Sequence, residues 1–235
     1  RSEYEKEGII FFMESVAKQD AKSYILKEDE IHASMFYISM KRMIDIVSAI
    51  IGLIVLFPLF VFIAFCIKFE DPRGPVFFSQ PRVGKDEKTF KIYKFRSMVT
   101  DAEEKLKDLI SLNEVPGAMF KMKEDPRVTK IGKFIRKTSI DELPQLWNVL
   151  IGDMSLVGPR PPLLRELAQY TNYDKQRLLI TPGCTGLWQV SGRSSLTFHD
   201  MVRLDLEYII KRSVWLDIKI ILKTVLLLVG SRNAY

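Results

Sequence analysis

The sequence predicts a helix-rich α+β fold: a re-entrant membrane helix hairpin and interfacial helices, carrying a domain with a small β-hairpin. Three observations lead there. Ile46 to Ile67 is 22 residues without a charge, interrupted by Pro58. Val76-Phe77-Phe78 and Thr89 to Phe95 are short β-prone runs joined by a polar, glycine-containing turn, the pattern of a hairpin. Beyond them, charged or amphipathic stretches at Asp101 to Asn113 and Phe198 to Lys211 have helical spacing. The expected division is an appendage over 1–39, the membrane hairpin over 40–70, and the main domain over 71–235.

Composition narrows the function classes. At 235 residues the chain can bury a substantial core, and its net charge of +6 favours an anionic partner such as a phosphorylated substrate or an anionic membrane face. Two cysteines, Cys66 and Cys184, make no disulfide framework and read as free thiols. Two widely separated histidines, His32 and His199, with no cysteine cluster argue against zinc.

Residues 1–40 read as one or two amphipathic helices with no recognisable chemistry. The apolar run that follows is long enough to cross a bilayer, but both its flanks are basic, with Lys41 and Arg42 before it and Lys68 after it. The positive-inside rule would place either end in the cytoplasm. A helix that enters, breaks at Pro58 and returns to the same face satisfies both flanks, because proline removes one helical hydrogen bond and bends the axis. A kinked spanning helix is the competing expectation.

After the predicted hairpin, whose second strand ends in Lys94 and Arg96, comes a basic run. Lys121 to Lys137 holds seven bases against two acids. It leads into Thr138 to Pro162, where adjacent carboxylates Asp141 and Glu142 precede an apolar helix and a rigid Gly-Pro-Arg-Pro-Pro turn. Asp141 is the expected N-cap, with Pro144 in the first turn, where its missing N–H costs nothing. Such a helix end also favours phosphate. The alternative is a structural capping box from Ser139 to Glu142. Leu163 to Tyr173 reads as a further helix. Thr181 to Arg193 is a glycine-punctuated loop with neither a P-loop nor a dinucleotide motif. Val214 to Val229 is apolar but carries Asp217, Lys219 and Lys223, so it suits an interfacial helix with Trp215 at headgroup depth, or a buried core helix.

Five segments in this order resemble the bacterial sugar transferase family, the monotopic phosphoglycosyl transferases. They are Lys94-Phe95-Arg96-Ser97-Met98, Asp125-Pro126-Arg127-Val128-Thr129, Asp141 to Leu146, Gly152 to Pro161, and Pro182-Gly183-Cys184-Thr185-Gly186. The resemblance runs from about Met40 to the C-terminus. It implies transfer of a sugar 1-phosphate from a nucleotide diphosphate sugar, usually a UDP-sugar, to undecaprenyl phosphate, releasing UMP, in the first step of capsule, exopolysaccharide or O-antigen synthesis. It places the enzyme at the cytoplasmic face of the bacterial inner membrane, with 71–235 as the catalytic domain. It further implies Asp141 as nucleophile, with Mg²⁺ beside Asp141 and Glu142. Phe57 departs from the family, in which Ser often precedes the proline.

The residue types make that chemistry intelligible. Neighbouring carboxylates suit different tasks better than one shared proton. Asp141 can attack the phosphorus next to the sugar, forming an acyl phosphate that the lipid phosphate then attacks. Glu142 is the main expected Mg²⁺ ligand. Arg136, Arg160 and Arg193, with Lys94 and Arg96 from the hairpin, are the expected phosphate binders, since guanidinium matches two phosphate oxygens. Two other readings stand beside this one: a membrane phosphohydrolase, and a non-catalytic basic adaptor in which the carboxylates only cap a helix. Nucleic acid is not an expected partner, because the basic run lacks interleaved aromatics. Residues 1–39 are available for a homo-oligomer interface.

Overall fold

In the computed structural model, residues 25–109, 122, 125–192 and 196–230 are described. The predicted appendage therefore lies mostly outside the described residues, as do Arg193 and much of the first half of the basic run.

The dominant element is α1, Met35–Glu70. Ser34 caps it by accepting from the Tyr37 N–H. Two helices separated at Pro58 were expected; the chain instead stays helical through Phe57 and Pro58, and no turn divides it. One proline removes a single donor, and with about six turns on one side and about three on the other the remaining ladder carries across it. The helix has two faces. Asp45, Ala49, Ile63 and Ile67 are buried against the domain, while Val47, Ile50, Ile51, Ile54, Val55, Val61, Phe62 and Phe65 are exposed. Steps of three and four keep each set on one side. By length and composition α1 could cross a membrane. Yet both its ends are bonded to the same domain. Arg42 donates to the Val149 and Leu150 carbonyls, and Glu70 accepts from the Lys130 and Ile131 N–H groups.

The predicted β-hairpin forms. Strands β1, Phe77–Val83, and β2, Thr89–Phe95, pair antiparallel with Phe78 opposite Lys94 and Arg82 opposite Phe90. Then come α2, Ala102–Leu109, and α3, Lys130–Lys137, capped by Thr129. Phe95 packs with Ile63, Ile67 and Ile135, so one small core ties hairpin, α1 and α3 together. A second, of Ala49, Ile92, Val149 and Met154, ties α1 to the hairpin and to α4, Gln145–Ile151.

The remaining chain builds a parallel two-stranded sheet from β3, Ser155–Val157, and β4, Gly183–Thr185. Its strands approach so closely that a Cβ on Gly183 would meet the Gly158 nitrogen at 2.0 Å. Between them, the helix expected over Leu163 to Tyr173 is only a single turn at Leu164–Leu167, with another at Asn172–Lys175. Helices α5, Leu187–Ser191, α6, Phe198–Lys211, and α7, Val214–Gly230, close the domain. α7 shares both expected characters. Ile220 and Asp217 face inward, while Trp215, Leu222, Val225 and Leu226 are exposed. Asp217 accepts from Tyr208, Tyr37 and Lys41, which fastens α7 to the start of α1.

Candidate active site

The carboxylate pair sits on a sharp turn. α3 ends at Thr138, and Ser139 adopts φ 56°, a left-handed conformation uncommon outside glycine. That reversal starts a 3-10 turn, Ile140–Glu142, closed by Glu142 N–H to Ser139 O and Leu143 N–H to Ile140 O. Ile140 packs into the Ile63, Phe95 and Ile135 core, fixing the turn from beneath. Asp141 is therefore not the N-cap of the following helix, and Ser139 forms no capping bond. α4 begins only at Gln145, because the residues before it are taken up by the 3-10 turn and Pro144 caps the helix.

The turn sends its carboxylates different ways. Asp141 is buried, 8% exposed, and makes no ion pair with a described residue. It lines a cavity of about 540 Å³ together with Lys94, Arg96, Arg136 and Arg160. Glu142 lines a second cavity, of about 610 Å³, and Arg160 lines both. Lys94 reaches across from β2 to Glu142, Nζ to Oε1 2.5 Å.

Their electrostatics diverge accordingly. Burial raises the Asp141 carboxyl to about 6, against the attraction of Lys94 and Arg136 and with the repulsion of Glu142. For Glu142 burial is again the largest single cause and pushes upward, but Lys94, Arg160 and Arg82 together outweigh it and hold the group below the usual carboxylate range. The Glu142 side chain is 45% exposed at the cavity mouth. One carboxylate is thus a desolvated base, and the other a stable anion.

The expected bases are held in unequal ways. Arg96 is anchored to Asp71, through its side chain at 2.9 Å and its carbonyl at 2.7 Å. Arg136 donates Nε–H to Ser97 Oγ at 2.9 Å. Arg160 forms no hydrogen bond or ion pair with a described residue, so its guanidinium keeps its full donor set. Pro58 lies on α1, away from this cavity lining.

Three cations of the lining, Arg82, Arg127 and Arg165, are not among the expected phosphate binders, and Arg127 is paired with Asp125. Arg82 is 6% exposed, donates to the Pro161 carbonyl and to Gln80, forms no ion pair with a described carboxylate, and leaves Nε unpaired. Burial, then the nearby charge of Arg160, lowers it to about 10. Glu166 and Glu142 attract it without bonding to it, and a buried cation with donors left over marks a place where an anion would be stabilised. The signal was present in the hairpin register: residues 78, 80 and 82 share a face with their partners 90, 92 and 94, which puts Arg82 beside the Lys94 row.

Among the described residues no three His, Cys, Asp or Glu side chains cluster as a ready metal cage. Asp141 lines the basic cavity and Glu142 the neighbouring one, and Lys94 engages only Oε1 of Glu142. Mg²⁺ takes one or two carboxylates and completes its shell with phosphate oxygens and water, so this donor set fits Mg²⁺ arriving with a diphosphate.

Residues 36–231 match the bacterial sugar transferase family. The galactosyl transferase CpsE of Streptococcus agalactiae is 54% identical over 196 residues, covering 82% of this chain and 43% of that protein. The undecaprenyl-phosphate galactose phosphotransferase of Salmonella typhimurium is 44% identical, covering 83% and 42%. The chain thus spans less than half the length of these two relatives. The exopolysaccharide production protein ExoY of Rhizobium meliloti is 39% identical, and there the match covers 83% of this chain and 88% of that protein.

Proposed function

Because the chain belongs to the bacterial sugar transferase family, we propose that it transfers a hexose 1-phosphate from a UDP-sugar to undecaprenyl phosphate, releasing UMP, as an initiating step of exopolysaccharide, capsule or O-antigen synthesis. Relatives named as galactose and glucose phosphotransferases on undecaprenyl phosphate support the reaction class. The observation that carries the reading is the buried Asp141, which makes no ion pair with a described residue, in one cavity with Arg82 and Arg160, which bond to no described carboxylate.

The donor's diphosphate enters that cavity, where Arg82, Arg136, Arg160 and Lys94 offset its charge and guanidinium forks fix its oxygens. Asp141, desolvated and held close to neutrality, is a stronger nucleophile once ionised than a solvated carboxylate. It attacks the phosphorus that bears the sugar; the new O–P bond forms as the bond to UMP breaks, and UMP takes the electron pair. Lys94 keeps Glu142 anionic beside it. Bound at Asp141 and Glu142, Mg²⁺ would supply charge compensation for the diphosphate. In the second displacement an oxygen of the lipid phosphate bonds to the same phosphorus, and Asp141 leaves as a free carboxylate.

The membrane placement rests on α1. Its continuous apolar face suits hydrocarbon, and bonds from both of its ends to one domain support a placement with that domain on a single side of the bilayer, the cytoplasmic one. UMP release from UDP-galactose and UDP-glucose by the detergent-purified chain tests the reaction. Turnover beyond one UMP per chain that requires added undecaprenyl phosphate supports transfer. Equal release without it would instead identify a phosphohydrolase.

A further inference from the structure

The second cavity has a different character from the first. Its wall is apolar, built from Leu143 and Leu146 beside the turn, Leu156 of β3, Met201 of α6, and Val225 and Leu228 of α7. Its charged groups are Glu142 and Arg160. Two lining side chains also hold unmatched polar atoms: Trp188, 7% exposed, has an Nε1–H with no acceptor, and Gln189 has an Oε1 with no donor. The groove runs beside α7, whose Leu222 and Leu226 are exposed.

A second sugar would find few partners along this wall, and a free anion would gain nothing from it. A ligand with an anionic head and a branched hydrocarbon stem matches both parts. We propose that this groove takes the phosphate-proximal isoprene units of a polyprenyl phosphate, with the phosphate at Arg160. The inference rests on the transferase reading and adds to it where the acceptor lies. Arg160, shared by both cavities, sets the lipid phosphate against the same turn that carries Asp141, where it can enter opposite the Asp141 oxygen once UMP has left. A cavity near 600 Å³ falls within the range of small-ligand clefts, about 300–1,000 Å³. It therefore holds only the first units of a long tail, and the rest continues along α7 into the bilayer.

The test uses the full detergent-solubilised chain and a polyprenyl phosphate bearing a diazirine on the isoprene unit next to the phosphate, with labelled residues mapped by mass spectrometry. Labelling of Leu146, Met201 or Val225 is expected, suppressed by excess undecaprenyl phosphate but not by dioleoyl phosphatidic acid. It should be lost in Val225→Trp, whose side chain starts half-exposed, and in Met201→Trp. Labelling confined to the exposed face of α1, labelling unchanged in both variants, or equal suppression by phosphatidic acid would overturn the assignment. Formation of a phospho-sugar adduct by the wild-type chain separates this from the parent reading. An adduct without groove labelling sinks the groove alone, and groove labelling without an adduct sinks the two-step mechanism alone.

Discussion

Lys94 Nζ stands 2.5 Å from Glu142 Oε1, while the adjoining Asp141 has no cationic partner in contact. One lysine thus divides two consecutive carboxylates into an anchored anion and a poised base. Their separation onto two cavities follows from the left-handed Ser139, which begins the tight turn that carries them.

The rate of donor attack should fall as pH drops through about 6, where Asp141 takes up a proton. Burial is the main cause of that value, so the acid limb should lie well above 3.8, the ordinary carboxylate value. A pH profile of UMP release at saturating acceptor measures it, and a limb near 4 would contradict the assignment.

Lys94→Met should shift the same limb to higher pH, because Lys94 lowers the proton affinity of both Asp141 and Glu142. Loss of a charge-assisted bond to a half-exposed group should reduce the rate at pH 7 by about tenfold. Lys94→Arg, which keeps the charge, should restore most of the profile.

Asp141→Asn should inactivate the chain yet stabilise it at neutral pH. The folded state holds the Asp141 proton more tightly than the unfolded chain, so between about pH 4 and pH 6 stability falls as pH rises. The gap from 3.8 to about 6 corresponds to at most about 3 kcal/mol at pH 7. Thermal melts of both forms should diverge at pH 7 and converge near pH 4.

What the sequence could and could not foretell divides along physical lines. β2 and α6 were readable because alternation and helical spacing are local. Lys94, Arg96, Arg136, Asp141 and Arg160 share one cavity lining. The geometry of the turn was not readable, since nothing in Thr-Ser-Ile-Asp-Glu specifies a positive φ at a serine. Nor was the unbroken α1, because local rules give the cost of Pro58 and not the contacts at Ala49, Ile63 and Ile67 that hold the helix on both sides of it. Arg82 was passed over because a single arginine in a strand usually faces water; only the pairing register reveals its neighbours.

Gly183→Ala should destabilise the fold by a few kcal/mol, on the order of 1–3, as overpacking against backbone does. The added Cβ would meet the Gly158 nitrogen at 2.0 Å and the Val157 carbonyl carbon at 2.6 Å, which cannot swing away as a side chain would. A lowered melting temperature, with donor and acceptor affinities reduced together because Arg160 follows β3, is the expected result.

The most direct test of the central claim is the intact mass of the detergent-purified chain after incubation with Mg²⁺ and UDP-galactose or UDP-glucose, without lipid. The account predicts a gain of one hexose phosphate, absent in Asp141→Asn and discharged when undecaprenyl phosphate is added. Normal lipid-linked product with no adduct at any time, or an adduct that persists in Asp141→Asn, would contradict it.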